Sequence, residues 1–208
     1  MIRLDLFSVP LFIIDGFITE KERLSILSYI KRNPKIFKKI GNVEGVGYGS
    51  FKITHQKTTN FNFFTEGGHI LEYFTKNIPE CFDLKNKAQN VANKLCHFFG
   101  YKKADLTNSW ITIQQNKSSL LRHNHTTSKL SAVLYLNVGD KASEVCFYNP
   151  NPFVSICDYE IQNHTNFHYY KIPPKNNTLI VFPGWMDHSS GPEPNKFVNR
   201  IALSFNTK

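Results

Sequence analysis

The sequence predicts a mainly β fold, a sandwich or jelly roll with two helices packed outside one sheet. Three observations carry this. Short runs rich in Val, Ile, Leu and Phe, punctuated by clusters of Gly, Pro, Asn and Ser, recur through the C-terminal half. Two earlier segments carry the 3.6-residue apolar period of helices instead. Apolar residues make up 41% of the chain, with 18 Phe, which is enough for a substantial core and far from the composition of a disordered chain.

Taken in order, residues 4 to 14 alternate loosely and hold a Phe-Ile-Ile run, so they read as a strand that ends at Asp15-Gly16. Thr19 with Glu22 three residues later is a capping box, and Leu24, Leu27 and Ile30 recur on one face until Asn33-Pro34 stops the helix. From Gly41 to Gly68 the chain is rich in Gly, Thr and Asn, with β-like patches at Ser50 to Ile53 and Asn60 to Phe64. Its Gly45-Val-Gly47-Tyr-Gly49 lacks the strand-then-helix context of a phosphate-cradling loop, so a hairpin that lines or covers a site is the expectation. A second helix is predicted from about Pro79 to Phe99, because Ala88, Val91, Ala92, Leu95 and Phe98 keep the period and Gly100 supplies the stop. The remaining predicted strands are Ser109 to Gln114, Leu120 to His125, Leu130 to Val138, Glu144 to Tyr148, Thr178 to Pro183, His188 to Ser190 and Phe197 to Asn206. One domain over residues 1–208 is expected, with residues 1–105 supporting the sheet and 106–208 forming the jelly-roll core.

The net charge of +9 comes from 25 Lys and Arg against 16 Asp and Glu, spread thinly apart from Lys31, Arg32, Lys35, Lys38 and Lys39. A nucleic-acid partner would call for basic residues interleaved with aromatics along one set of strands, a pattern that is missing. Cys81, Cys96, Cys146 and Cys157 have no CxxC spacing and read as reduced thiols of a cytoplasmic protein. The N-terminal MIRLDLFSVPLFIIDGF is interrupted by Asp5 and Pro10, unlike a signal peptide, and no run approaches the roughly 20 apolar residues that span a bilayer. No membrane partner is expected.

The chemistry centres on His123-Asn-His125. On a strand, side chains at i and i+2 face the same way, so the two imidazoles would stand side by side and call for a third metal ligand. His188 supplies one, just beyond the tight turn that follows the buried run Thr178 to Phe182. Arg200 opens the apolar strand Arg-Ile-Ala-Leu-Ser-Phe-Asn, where a guanidinium is expensive to bury without a carboxylate. The chain offers no obvious internal one, so an exogenous carboxylate is the natural partner.

His123-Asn-His125, Leu-Ser-Ala-Val-Leu-Tyr-Leu-Asn at 130–137, Val-Phe-Pro-Gly-Trp-Met-Asp-His at 181–188 and Arg-Ile-Ala-Leu-Ser-Phe-Asn at 200–206 together resemble the Fe(II)/2-oxoglutarate-dependent oxygenases, in particular a small bacterial and phage branch. The resemblance covers about residues 108 to 207. It implies a double-stranded β-helix, with Fe(II) as metal and 2-oxoglutarate and O2 as cosubstrates. His188 matches the distal histidine of the metal triad, Arg200 the base that grips the far carboxylate of 2-oxoglutarate, and Tyr135 a tyrosine that joins it there. No catalytic residue beyond the metal ligands is implied. Most such oxygenases carry Asp or Glu where His125 stands, so the third ligand is either His125 or a carboxylate elsewhere. Asp187 is a poor substitute because it adjoins His188 and adjacent strand residues face opposite ways.

The function implied is hydroxylation coupled to oxidative decarboxylation of 2-oxoglutarate, on a protein side chain, a nucleotide or a small metabolite. Two alternatives stay open. HxH with a remote His also suits a zinc hydrolase or lyase, which has no need of Arg200, and a basic surface suits a non-catalytic binding module. Trp110 and Trp185 are expected to pack the barrel, with Trp185 close enough to His188 in sequence to shape the pocket wall. The aromatic connection from Asn149 to Pro174 is expected, with 41–68, to roof the substrate site.

Overall fold

The structure, a computed structural model, describes residues 8–34, 37–40, 62–65, 69–156, 158–163, 166–191 and 193–208. The Gly45 to Gly49 segment, the patch at Ser50 to Ile53 and most of the expected roof at 41–68 lie outside them, as do His55, His164 and Cys157.

Among the described residues the strands form two antiparallel sheets. The larger has the order β1 (Phe12–Asp15), β8 (Thr178–Pro183), β5 (Leu130–Asn137), β10 (Arg200–Thr207), β4 (Leu106–Gln114), β3 (Asn62–Thr65) and β2 (Phe37–Ile40). The smaller has the order β7 (Tyr169–Ile172), β6 (Val145–Tyr148) and β9 (His188–Ser189). Strands β5, β8 and β10 read as nearly unbroken apolar runs because both of their faces are buried. On one face Leu134, Leu136, Leu179, Val181, Leu203 and Phe205 pack against the helices. On the other Tyr135, Ile180, Phe182 and Ala202 meet Val145, Phe147 and Ile172 of the smaller sheet. The two-residue period of the strand thus sorts one sequence into two cores.

Helix α1 (Glu20–Arg32) starts at Thr19, whose hydroxyl accepts from the backbone N of Glu22 while the Glu22 carboxylate accepts from the Thr19 N. Its buried face is Ile26 and Ile30, with Leu27 partly covered. Leu24 is 52% exposed, so the expected face was rotated by part of a turn. The second predicted helix is shorter, α3 (Leu84–Cys96), flanked by one-turn 3-10 segments at Pro79–Cys81 and His97–Phe99. Gly100 ends it at φ +73°, a left-handed conformation that glycine adopts without penalty. Helix α2 (Ile70–Asn77), β2 and β7 were not anticipated.

Two further expectations are corrected. Among the described residues the first strand runs over Phe12–Asp15, where it pairs with β8, and residues 8–11 form no ladder; the start of the expected strand, residues 4–7, lies outside the described residues. Leu120 to His125 is not a strand: it meets β9 through a single bridge at His123. Among the described residues no helix is long and apolar enough to cross a membrane. Cys81, Cys96 and Cys146 are buried free thiols.

Candidate active site

His123 and His188 are joined backbone to backbone. The N–H of each donates to the carbonyl of the other, at 2.9 and 2.8 Å. This one-residue antiparallel bridge brings the ring centroids to 4.3 Å without needing a strand. His125 is held separately, its N–H donating to Gly184 O at 2.7 Å and its carbonyl accepting from Ser128 N at 2.8 Å. A Cβ at Gly184 would sit 2.2 Å from Ser128 O and 2.8 Å from His125 O, so this turn closes only on glycine.

One ligand atom from each of His123, His125 and His188 falls within 4.8 Å of the others. The donor set fits a divalent metal in tautomer as well as in spacing. His123 Nδ1 lies 2.6 Å from Leu121 O and His188 Nδ1 lies 2.9 Å from Met186 O. A carbonyl can only accept, so Nδ1 carries the proton and Nε2 is left with its lone pair. Burial drives all three rings toward the neutral form, with His125 pushed down to about 3 and His123 and His188 lowered as well. Phe182 and Phe147 wall His188 at ring distances of 4.7 and 6.2 Å, and Trp110 faces His125 at 5.8 Å. Trp185 does not pack the barrel: it is 41% exposed at the rim.

Asp187 points away, as the alternation of neighbours predicts. Its carboxylate accepts from Arg122 Nε at 2.7 Å and from Asn124 Nδ2 at 2.6 Å. Arg122 stacks on Tyr148 at 4.4 Å, and these side chains with Trp185 and Pro152 line a rim pocket of about 260 Å³. Among the described residues no carboxylate joins the three histidines.

Arg200 opens β10 after Asn199, which takes a left-handed turn at φ +56°. A register shift against β5 follows at once, between Ile201 and Ala202. Arg200 is 4% exposed, yet no carboxylate among the described residues pairs with its guanidinium. Nε donates to Ser143 O at 3.0 Å, Nη1 to Gln114 Oε1, and Nη2 to the Tyr135 hydroxyl at 3.3 Å. Burial lowers the Arg200 pKa and raises that of Tyr135. Close by, Ser143 Oγ is buried without a hydrogen-bond partner among the described residues. A cationic fork and an orphan hydroxyl, both buried, form the environment that an anionic ligand completes.

Residues 108–206 match the family model of the 2OG-Fe(II) oxygenases. The match spans a little under half of the chain, and over that stretch the chain is similar to the 2OG-Fe(II) oxygenases. The oxygenases of this family work with Fe(II), 2-oxoglutarate and O2. Solved structures repeat the fold at low identity. A prolyl-4-hydroxylase from Pseudomonas putida is 13% identical at TM-score 0.64, covering 98% of this chain and 96% of its own. A prolyl hydroxylase from Trichoplax adhaerens, solved with a peptide fragment of the hypoxia inducible factor oxygen degradation domain, is 12% identical at TM-score 0.63, covering 95% and 82%. HygX from Streptomyces hygroscopicus, solved with nickel, 2-oxoglutarate and hygromycin B, is 9% identical at TM-score 0.59, covering 96% and 82%. A search of curated proteins finds no match. The double-stranded β-helix expected from the resemblance is therefore the fold of this chain.

Proposed function

We propose that His123, His125 and His188 hold Fe(II), that Arg200 and Tyr135 bind the far carboxylate of 2-oxoglutarate, and that the reaction is a hydroxylation. One observation carries the reading: a buried guanidinium without a carboxylate among the described residues shares a barrel with three neutral imidazoles, His188 buried and His123 and His125 half-buried. Burying an unpaired charge costs several kcal/mol, on the order of 3 to 5, so the arrangement makes sense as a receptor for an anion.

Bound Fe(II) supplies activation of O2, coupled to oxidative decarboxylation of 2-oxoglutarate to succinate and CO2. The chain does the rest. The Leu121 and Met186 carbonyls keep His123 and His188 in the tautomer whose Nε2 can ligate. The Phe147 and Phe182 rings exclude water from that side. Arg200 and the Tyr135 hydroxyl offer N–H and O–H donors that orient a dicarboxylate along the barrel. The third position is His125 rather than a carboxylate, because Asp187 is already committed to Arg122 and Asn124. A ligand set without an anion leaves the metal its full double charge. Substrate would reach the site over the rim of Trp185, Arg122 and Tyr148. The class of substrate is a protein side chain, a nucleotide or a small metabolite.

Anaerobic titration with Fe(II) and then 2-oxoglutarate tests this through the weak visible metal-to-ligand charge-transfer band. A band in wild type that fades in both His125→Ala and Arg200→Ala is expected. No band, with tight zinc binding instead, would move the site to the zinc hydrolase or lyase reading.

A further inference from the structure

We infer that Gln114 is a positioning residue for the cosubstrate, a neutral acceptor that holds Arg200 in place while leaving its charge for the incoming carboxylate. The inference rests on the reading of Arg200 given above. Gln114 ends β4, lies directly across the ladder from Arg200 and is fully buried. A guanidinium only donates, so the amide oxygen must face Arg200, and the amide nitrogen is thereby turned the other way. That nitrogen donates to Ser190 Oγ at 3.0 Å, which also accepts from Leu120 N at 2.6 Å. Ser190 lies two residues after His188 and Leu120 three before His123. One amide therefore ties the cationic fork to both segments that carry the histidine cluster.

The donor count agrees. Arg has five N–H groups. Ser143 O takes the one on Nε, Gln114 one on Nη1 and Tyr135 one on Nη2. Among the described residues one N–H is left on each terminal nitrogen, which is what a bidentate carboxylate accepts. The residue type matters for the same reason. Glutamate at 114 has nearly the same shape and would accept from Arg200 equally well, and the Ser190 hydroxyl can turn to donate to it. It would also neutralise the guanidinium from within and repel a second carboxylate. A merely structural role would favour Glu over Gln; a cosubstrate role forbids it.

The test is anaerobic calorimetry of Fe(II) and then 2-oxoglutarate binding on wild type, Arg200→Ala, Gln114→Glu and Gln114→Met, with thermal unfolding alongside. Gln114→Glu is expected to keep Fe(II) affinity within about twofold, to raise the unfolding midpoint, and to weaken 2-oxoglutarate at least about 100-fold. Gln114→Met, which removes the acceptor without adding charge, is expected to lower the midpoint and weaken 2-oxoglutarate about tenfold. If Arg200→Ala abolishes 2-oxoglutarate binding while Gln114→Glu stays within about threefold of wild type, the inference is overturned and the Arg200 reading survives. Parallel loss of Fe(II) in Gln114→Glu would reassign Gln114 to the integrity of the barrel and also overturn it. Wild type that binds no 2-oxoglutarate, or Arg200→Ala that binds it equally, would overturn both.

Discussion

At the scale of single residues, the site depends on backbone hydrogen bonds that no side-chain pattern announces. His123 and His188 are set by the reciprocal bonds between their own N–H and carbonyl groups, and their tautomers by the Leu121 and Met186 carbonyls. His125 depends on Gly184, whose missing side chain admits Ser128 O and His125 O. Gly184→Ala must push that turn aside. It is expected to cost about 2 to 4 kcal/mol in urea unfolding and to weaken Fe(II) binding at least about tenfold by anaerobic titration. Metal affinity unchanged in a folded Gly184→Ala protein would show that His125 tolerates a moved backbone. The histidines, Arg200 and Tyr135 were readable as residue types. Gln114, Ser143 and Ser190 were not, because polar residues near strand ends are common and only the fold reveals which of them meet a buried charge.

Among elements, the end of β4, the turn before β6 and the approach to β10 are held together by Asn195, which is fully buried. Its amide nitrogen donates to the carbonyls of Gln115 and Phe197 at 3.0 and 2.6 Å, and its oxygen accepts from Ser143 N at 3.2 Å. Ser143 in turn offers its carbonyl to Arg200. Asn195→Ala would strand several buried backbone groups at once, an expected loss of about 3 kcal/mol in denaturant unfolding. It should also weaken 2-oxoglutarate binding while sparing Fe(II), since Asn195 supports the Arg200 side of the barrel. Equal loss of both ligands would mean that the two halves of the site are not separately supported. Element boundaries follow the same logic. The 3.6-residue period located α1 and α3, but Leu24 faces solvent because what buries a helix face is the sheet beneath it, and the sequence does not state where that sheet lies.

For the whole molecule, the larger sheet separates a helix-side core from a barrel core, and the two carry different burdens. Leu134 faces the helices and Phe147 the barrel, 6.2 Å from the His188 ring. Both truncations to Ala should cost about 3 to 5 kcal/mol. Leu134→Ala should leave Fe(II) affinity within about twofold, because distant sites add independently, whereas Phe147→Ala should weaken it clearly by opening the wall beside His188. Calorimetric Fe(II) binding at a temperature where both variants are folded checks this. Equal effects on the metal would show that the sheet transmits disturbance between the cores.

The sequence by itself determined the class of fold, the two amphipathic helices, the capping box at Thr19 and the apolar strands, and it singled out His123, His125 and His188, which the fold brings together, and Arg200, which it buries. These follow from local periodicity and from the chemistry of residue types, which a chain carries wherever it goes. Only the tertiary structure decided that His123 and His125 sit on a loop pinned by one bridge, that Asp187 is spent on Arg122 and Asn124, and that Gln114 rather than a carboxylate braces Arg200. It also placed β2, β7 and α2, whose short segments carry too little period to stand out. The physical reason is common to all of these: each is a contact between residues far apart in the chain, and what a buried polar group bonds to depends on which neighbours the fold delivers.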